Sequence, residues 1–196
     1  MGYLKRVTVP LLVLAAAGAQ AAAPAVEKTA HGVVVRPSDA QAADVRVEAV
    51  APGILRVSAD PDGDFARTPS LMRAAAGTPP AVKVEQGSGQ VTVSTQGISA
   101  TVDARSGRVS FFDAAGKPLL EEHARSFAPV TFEGKNYYSI RQRFASPDDE
   151  AFYGFGQHQQ GWMNQKGHNV ELLQSNIDMA VPYLVSSRNY GILWDN

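Results

Sequence analysis

The residue types that carry most enzyme chemistry are present in this chain but form no recognisable catalytic or metal-binding set. No two histidines have the spacing of metal ligands on one helix, and there is no cysteine to join them: His31, His123, His158 and His168. Asp60, Asp62 and Asp64 begin like a calcium loop, but no glutamate stands at its twelfth position. No G-x-S-x-G or G-x-G-x-x-G run occurs. We therefore expect no bound metal and no cofactor.

A second group of polar and aromatic residues lies near the C-terminal end, in AFYGFGQHQQGWMNQKG at residues 151–167. This stretch holds four glycines, two aromatic–glycine steps, a tryptophan and a histidine. It is too polar for a core strand and too aromatic for an ordinary linker.

The elements that must position these residues are short strands. Segments rich in β-branched residues recur at 32–37, 44–50, 54–59, 81–86, 90–95, 98–103 and 108–113. Apolar and polar side chains alternate in several of them, which puts one face on a core and the other in water. Short strands separated by Gly and Pro turns indicate an all-β, antiparallel sandwich or barrel.

The turns and loops between these strands have their own signatures. Gly107 and Gly116 follow strand ends in a meander, where a positive φ angle is needed. Residues 60–80 break the alternation with Pro, Gly and Asp, so we expect a long loop, with a short helical turn at Ser70–Ala76.

The composition is that of an ordinary globular domain, with 196 residues, 44% hydrophobic and 19% charged. Lys5 and Arg6 precede an apolar run at 7–17 and an A-x-A step at 19–21, the pattern of a secretory signal peptide. That run is shorter than the roughly 20 residues of a membrane-spanning helix. We expect residues 1–23 to be removed and 24–196 to form an exported domain, periplasmic or extracellular and not held by a membrane. The remaining 16 basic and 19 acidic residues give a net charge of −3, so no nucleic-acid partner is expected.

The second half of the chain carries a family resemblance. FYGFGQHQQGWMNQKG resembles the Y-G-x-G-E/Q…K/R-G segment near the end of the N-terminal domain of family 31 glycoside hydrolases. VPYLVSSRNYGILWDN resembles the next signature of that family, and DARSGRVSFFDAAGKPLLEE is similar to one of its strand pairs. Two motifs in the right order are much more specific than either alone. The sequence LLQSN…VPYLVSSRNYGILWDN is most similar to that of the bacterial α-xylosidases of this family.

The resemblance implies a β-sandwich like that of galactose mutarotases, followed in the family by a catalytic (β/α)8 barrel. Retaining glycosidases use two carboxyl groups about 5 Å apart, and in this family both belong to the barrel. No acid in this chain matches those motifs, so we assign no catalytic residue, and Asp195 is expected to be a strand-end residue. The resemblance implies a non-catalytic N-terminal domain, without its barrel, of an enzyme that cleaves α-xylosides or α-glucosides.

The resemblance also implies where this domain meets the sugar. A loop of the N-terminal domain reaches over the barrel mouth in the family, and Val170–Tyr183 corresponds to it here, without the family's usual Asn-Asp pair. Gln174 and Asn176 are amides that can bind sugar hydroxyls, and Trp162 can stack on a sugar ring. The alternatives are a turn capped by Asn176 and Asp178, and packing for Trp162.

A sandwich built to sit against a barrel should expose an apolar patch, and we place it at Trp162, Met163, Met179 and Tyr183.

Two other functions stay open. A free-standing carbohydrate-binding module would use the aromatic pairs Phe111-Phe112 and Tyr137-Tyr138, each with one inward and one outward ring. A sugar mutarotase, a more distant alternative, would need an acid and a base such as Glu121 and His123.

Overall fold

Thirteen β-strands and no helix form the part of the chain that the structure, a computed structural model, describes: residues 23–65, 70, 72 and 78–195. All strand pairs are antiparallel, which confirms the predicted all-β fold. The strands are β1 (Ala25–Thr29), β2 (Gly32–Arg36), β3 (Asp44–Ala51), β4 (Ile54–Asp60), β5 (Lys83–Gly87), β6 (Gln90–Thr95), β7 (Ile98–Asp103), β8 (Val109–Asp113), β9 (Pro118–Phe132), β10 (Lys135–Phe144), β11 (Phe152–Gln157), β12 (Met179–Ser186) and β13 (Tyr190–Leu193).

Two sheets pack face to face to form the core. The first has the order β1-β2-β3-β4 and the second the order β10-β9-β8-β7-β6-β5. Their buried residues are almost all valine: Val33, Val35, Val45, Val47, Val91, Val93, Ala100, Val102 and Val109. The alternation read from the sequence therefore marks the true inner faces, because successive side chains of a strand point to opposite sides.

The predicted strands match β2 to β8 within two residues, and the predictions for β6 and β7 are correct at both ends. Gly107 and Gly116 have φ angles of 70° and 80°, which confirms their role in the turns. β1 and the long β9–β10 hairpin were not predicted. That hairpin ends in the turn Glu133-Gly134, where both residues have positive φ, and its outer half is exposed.

Exposure of the hairpin changes one prediction. Tyr137 and Tyr138 are both exposed, so the expectation of one inward ring is wrong for this pair. The reason is that β10 extends past the sandwich, and neither face of its outer half is covered. Phe111, by contrast, packs against the core as a half-buried residue.

A third sheet, with the order β11-β12-β13, joins residues 152–157 to the C-terminal hairpin. The glycine-rich stretch thus begins as an exposed edge strand. It is tied to the first sheet by Asp195, which pairs with Arg56 of β4 at 3.2 Å and accepts a hydrogen bond from Ser70 at 2.8 Å. This confirms Asp195 as a residue at the end of a strand.

Two predictions fall outside the described residues. These are the signal peptide at 1–23, of which only residue 23 is described, and the helical turn at Ser70–Ala76, of which only Ser70 and Met72 are described. Within the described ranges, no helix has the length and apolar character that a membrane crossing requires.

Candidate functional site

The loop between β11 and β12, residues 158–178, carries the predicted sugar-contacting residues, and hydrogen bonds tie its first half to β11. The backbone N–H of Gln165 donates to the carbonyl of Phe152 at 2.8 Å. In return, the N–H of Phe152 donates to Oδ1 of Asn164 at 3.0 Å. Lys166 extends across to the carbonyl of Pro147. This part of the loop is therefore held in place by the strand that precedes it.

Trp162 lies at the surface of this loop, stacked on His168. The two rings are 3.8 Å apart and inclined by 12°. Trp162 keeps 45% of its surface exposed, and its neighbour Met163 keeps 81%. One face of the indole is covered by the imidazole and the other is available, so Trp162 is not a core residue.

Gln174 holds the second half of the loop together. Its Nε2 donates to the carbonyl of Asp178 at 3.1 Å, and its Oε1 accepts from the N–H of Ala180 at 3.2 Å. The hydroxyl of Ser175 accepts from the N–H groups of Ile177 and Asp178. The turn is thus capped by Gln174 and Ser175 and not, as the turn alternative had it, by the side chains of Asn176 and Asp178.

Asn176 is exposed, and its side chain makes no hydrogen bond within the described part of the chain. No hydrogen bond or ring contact among the described residues joins Trp162 to Gln174 or Asn176. The role of these three residues in sugar binding stays a prediction.

β12 presents an uncovered apolar face. Its alternate residues Met179, Val181, Tyr183 and Val185 are all exposed, and we call these four the β12 face. The side chains between them point inward, and Leu184 is buried. The predicted exposure of Trp162, Met163, Met179 and Tyr183 is confirmed.

The aromatic–glycine steps of β11 allow β12 to approach closely. Gly154 and Gly156 have φ angles of 114° and 100°. A Cβ atom on Gly156 would lie 1.8 Å from the carbonyl oxygen of Met179, and one on Gly154 would lie 2.4 Å from that of Tyr183. Both glycines are therefore needed inside a bulged strand, where the backbones touch, and not in a tight turn.

The serines and tyrosine of SSRNYG surround a buried acid. Glu150 is 2% exposed, and its Oε1 accepts hydrogen bonds from the hydroxyls of Ser186 and Tyr190, both at 2.5 Å. Burial, and then this bond to Glu150, raise the pKa of Tyr190, so the phenol stays neutral. The cluster fastens the β12–β13 turn to the start of β11.

The rest of the same motif makes similar contacts. Trp194 stacks on Phe155 with ring centres 6.1 Å apart, and its backbone N–H donates to the carbonyl of Pro182. Gly191 lies against the ring of Tyr183, where a Cβ would meet the phenol oxygen at 2.4 Å. The signature residues are thus explained by packing within this domain.

These motifs have a known counterpart. Residues 44–196 match the family described as glycosyl hydrolase 31 N-terminal galactose mutarotase-like domain. The chain belongs to this family. Both the predicted resemblance and the predicted sandwich are confirmed.

Solved structures of family 31 enzymes contain the same domain. The α-xylosidase from Xanthomonas citri superposes with a TM-score of 0.81 at 62% identity, covering 87% of this chain and 19% of that one. An α-xylosidase from a soil metagenome, complexed with xylose, superposes with a TM-score of 0.73 at 30% identity, covering 87% of this chain and 28% of that one.

A curated relative gives the same picture. A family 31 glucosidase, described as uncharacterized, from Pseudescherichia vulneris is 31% identical over 129 residues, which cover 54% of this chain and 24% of the relative. The chain therefore spans about a quarter of that relative's length. Its relatives are enzymes in which this domain accompanies a larger catalytic part.

A wide cleft of about 1280 Å³ opens between β4, the β8–β10 strands and the β12–β13 hairpin of this family 31 domain. One of the acids that line it is Glu122, whose carboxylate is fully buried and paired with Arg125 and Gln142. Glu121 and His123, the acid and base of the mutarotase alternative, are exposed. Sequence inspection missed Glu122, although its place between two exposed polar residues of an alternating strand was a usable signal.

The candidate calcium loop is a hydrogen-bonded turn. Oδ1 of Asp60 accepts from the backbone N–H groups of Asp62 at 2.7 Å and Asp64 at 3.2 Å. Among the described residues, no group of three or more acidic or histidine side chains is placed to hold a metal ion.

Proposed function

We propose that this chain is the non-catalytic N-terminal domain of a retaining α-glycosidase, an α-xylosidase or α-glucosidase, and that it packs on a catalytic (β/α)8 barrel. The observation that carries this proposal is the uncovered β12 face, on a chain that matches only a small part of family 31 enzymes. An apolar strand face left in water has a cost that burial against a partner would remove.

The same domain would help shape the sugar pocket. Asn176 has a free amide, and Trp162 has a free ring face, so both suit contact with a sugar. Gln174 is engaged on both amide atoms within its own turn, which makes it a support for the loop as well as a candidate contact. α-Xylosides or α-glucosides are the proposed substrates of the assembled enzyme.

A domain exchange tests the proposal. The segment of the Xanthomonas citri α-xylosidase that matches this chain is replaced by the chain itself, and hydrolysis of an aryl α-xyloside is measured. We expect the chimera to retain kcat/KM within about tenfold, since the two segments are 62% identical and most surface substitutions have small effects. We expect the isolated chain to show no turnover. Turnover by the isolated chain, or a folded but inactive chimera, would count against the proposal.

Two matched valines locate the interface in the chimera. Val181 on the β12 face and Val130 on the β9–β10 hairpin are exposed to a similar extent, 39% and 44%. Val181→Asp should lower the melting temperature of the chimera and should reduce its kcat/KM at least tenfold. The reason is that a charge buried without a partner at the interface costs several kcal/mol. Val130→Asp should leave both unchanged. Equal behaviour of the two variants would remove the β12 face as the docking surface.

We also propose that the domain is exported after removal of residues 1–23, on the basis of the N-terminal pattern alone. Intact-mass measurement of the secreted protein should show a chain that begins after Ala21 or Ala23. Protein that keeps Met1 and stays in the cytosol would refute this.

A further inference from the structure

A small cavity opens at the end of β11, in the loop that follows that strand. Its volume is about 230 Å³, and its walls are the side chains of Gln157, His158, Gln160, Trp162 and Gln165 with two glycines. Pockets for drug-sized ligands have volumes of roughly 300–1,000 Å³. This cavity therefore suits a single ring and not an oligosaccharide. No residue of the β12 face lines it.

Two of the cavity walls, Gln165 and Trp162, are held in place before any ligand arrives. Gln165 is bonded to the carbonyl of Phe152 through its backbone and to the carbonyl of Trp162 through its side-chain Nε2, at 3.0 Å. His168 supports the indole from behind at 3.8 Å. A site whose groups are already ordered loses little conformational entropy on binding.

The lining is polar but carries no fixed charge, which defines the class of ligand. None of its side chains is an acid, a lysine or an arginine, so neither an anion nor a metal ion has a counter-charge here. The amides of Gln157 and Gln160 make no hydrogen bond within the described part of the chain. Each can donate and accept, as sugar hydroxyls require.

His158 adds an acceptor. Its Nε2 lies 2.9 Å from the carbonyl oxygen of Phe155. A carbonyl can only accept, so Nε2 carries a proton, and in this Nε2–H tautomer Nδ1 is an acceptor. Beside these polar groups stands the open face of Trp162, and a pyranose ring combines an apolar C–H face with a rim of hydroxyls.

We propose that this cavity binds one neutral pyranose unit, stacked on Trp162, with its hydroxyls bonded to Gln157, Gln160 and His158. The choice of an α-xyloside or α-glucoside unit rests on the proposed function, whereas the cavity is formed entirely by this chain. It would hold a sugar without the help of a catalytic part.

Tryptophan fluorescence tests the site directly. The chain has two tryptophans, and Trp194→Phe keeps a ring on Phe155 while leaving Trp162 as the reporter. Titration with methyl α-D-xyloside or methyl α-D-glucoside should change the emission and saturate. Xylitol offers similar hydroxyls without a ring face and should give no saturable change.

Two substitutions in the Trp194→Phe background separate binding from fold. Gln160→Ala should weaken the affinity about fivefold, as expected for the loss of one hydrogen bond. Met163→Ala, an exposed neighbour that does not line the cavity, should leave the affinity unchanged. Gln160 is exposed, so neither variant is expected to unfold.

A titration without saturation, an equal response to xylitol, or unchanged affinity in Gln160→Ala would overturn the site. The chimera reports the proposed function separately. An active chimera together with a chain that binds no sugar would refute only the proposed sugar site in the cavity. An inactive chimera together with a chain that binds sugar would refute only the proposed packing on a catalytic barrel.

Discussion

At the scale of single residues, the buried carboxylate of Glu122 joins three strands of the second sheet. Its Oε2 accepts from the backbone N–H of Val109 at 3.0 Å and from Nη2 of Arg125 at 2.5 Å. Its Oε1 accepts from Nε of Arg125 and from Gln142, both at 2.8 Å. The carboxylate is completely buried and Arg125 is nearly so, so the charge of each depends on the other.

We expect Glu122→Gln to lower the free energy of unfolding by about 3–5 kcal/mol, because it leaves the buried guanidinium of Arg125 without a counter-charge. Urea unfolding measures the difference. Glu121→Gln, the exposed neighbour, is the control and should stay within about 0.5 kcal/mol of the parent. Similar unfolding midpoints for the two variants would show that the pair contributes little.

Tyr190 gives the fold a dependence on alkaline pH. Burial and the bond to Glu150 raise the pKa of its phenol above the ordinary value of 10.0. The folded state therefore keeps this proton where the unfolded state loses it, and stability falls as the pH rises past about 10. Below a pH of about 10, the stabilisation that Tyr190 gives to the folded state is fully present.

Tyr190→Phe should remove this part of the alkaline loss and should cost about 1–2 kcal/mol near neutral pH, since Glu150 loses a hydrogen bond. Urea unfolding of both proteins between pH 8 and about 11 tests it. The difference in free energy between the two should shrink as the pH rises. A constant difference would mean that Tyr190 does not titrate with unfolding.

At the scale of elements, the pairing of β11 with β12 requires glycine at positions 154 and 156, where the two backbones approach closely. Gly156→Ala would place a methyl group against the carbonyl of Met179 at a φ of 100°. We expect this substitution to lower the free energy of unfolding by well above about 2 kcal/mol and to speed the hydrogen exchange of the β11 amides. Gly167→Ala also has a positive φ but meets nothing within 4 Å, so it should cost only about 1–2 kcal/mol. Equal losses, measured by unfolding and amide exchange, would refute the close approach.

At the scale of the whole molecule, the exposed apolar surface should govern solubility. Met163→Ser with Met179→Ser should raise solubility and reduce self-association in sedimentation velocity, with little change in stability, because both side chains are exposed. Leu184→Ser, on the buried side of β12, should instead cost about 2–5 kcal/mol. A double variant that loses stability as Leu184→Ser does, at unchanged association, would show that this surface belongs to the core.

The sequence by itself determined strands β2 to β8 of the sandwich. Valines alternate with polar residues in β3 and β6, and this local pattern already separates inner from outer faces, because side chains alternate along any strand. Gly107 and Gly116 likewise marked their turns, since glycine is the residue that adopts positive φ at low cost. The family motifs were also readable, because they are contiguous in the chain.

Only the tertiary structure decided what covers each face and which polar groups meet. Glu150 is bonded to Tyr190 and Ser186, and Gly156 lies against Met179, across many intervening residues. Local patterns contain no such partners, so Tyr137 and Tyr138 could not be recognised as exposed on both sides. Gln174, a free amide in the sequence, is engaged in its own turn. A hydrogen bond or a buried contact needs two groups, which the fold brings together from distant parts of the chain. One segment of sequence specifies only one of these two groups.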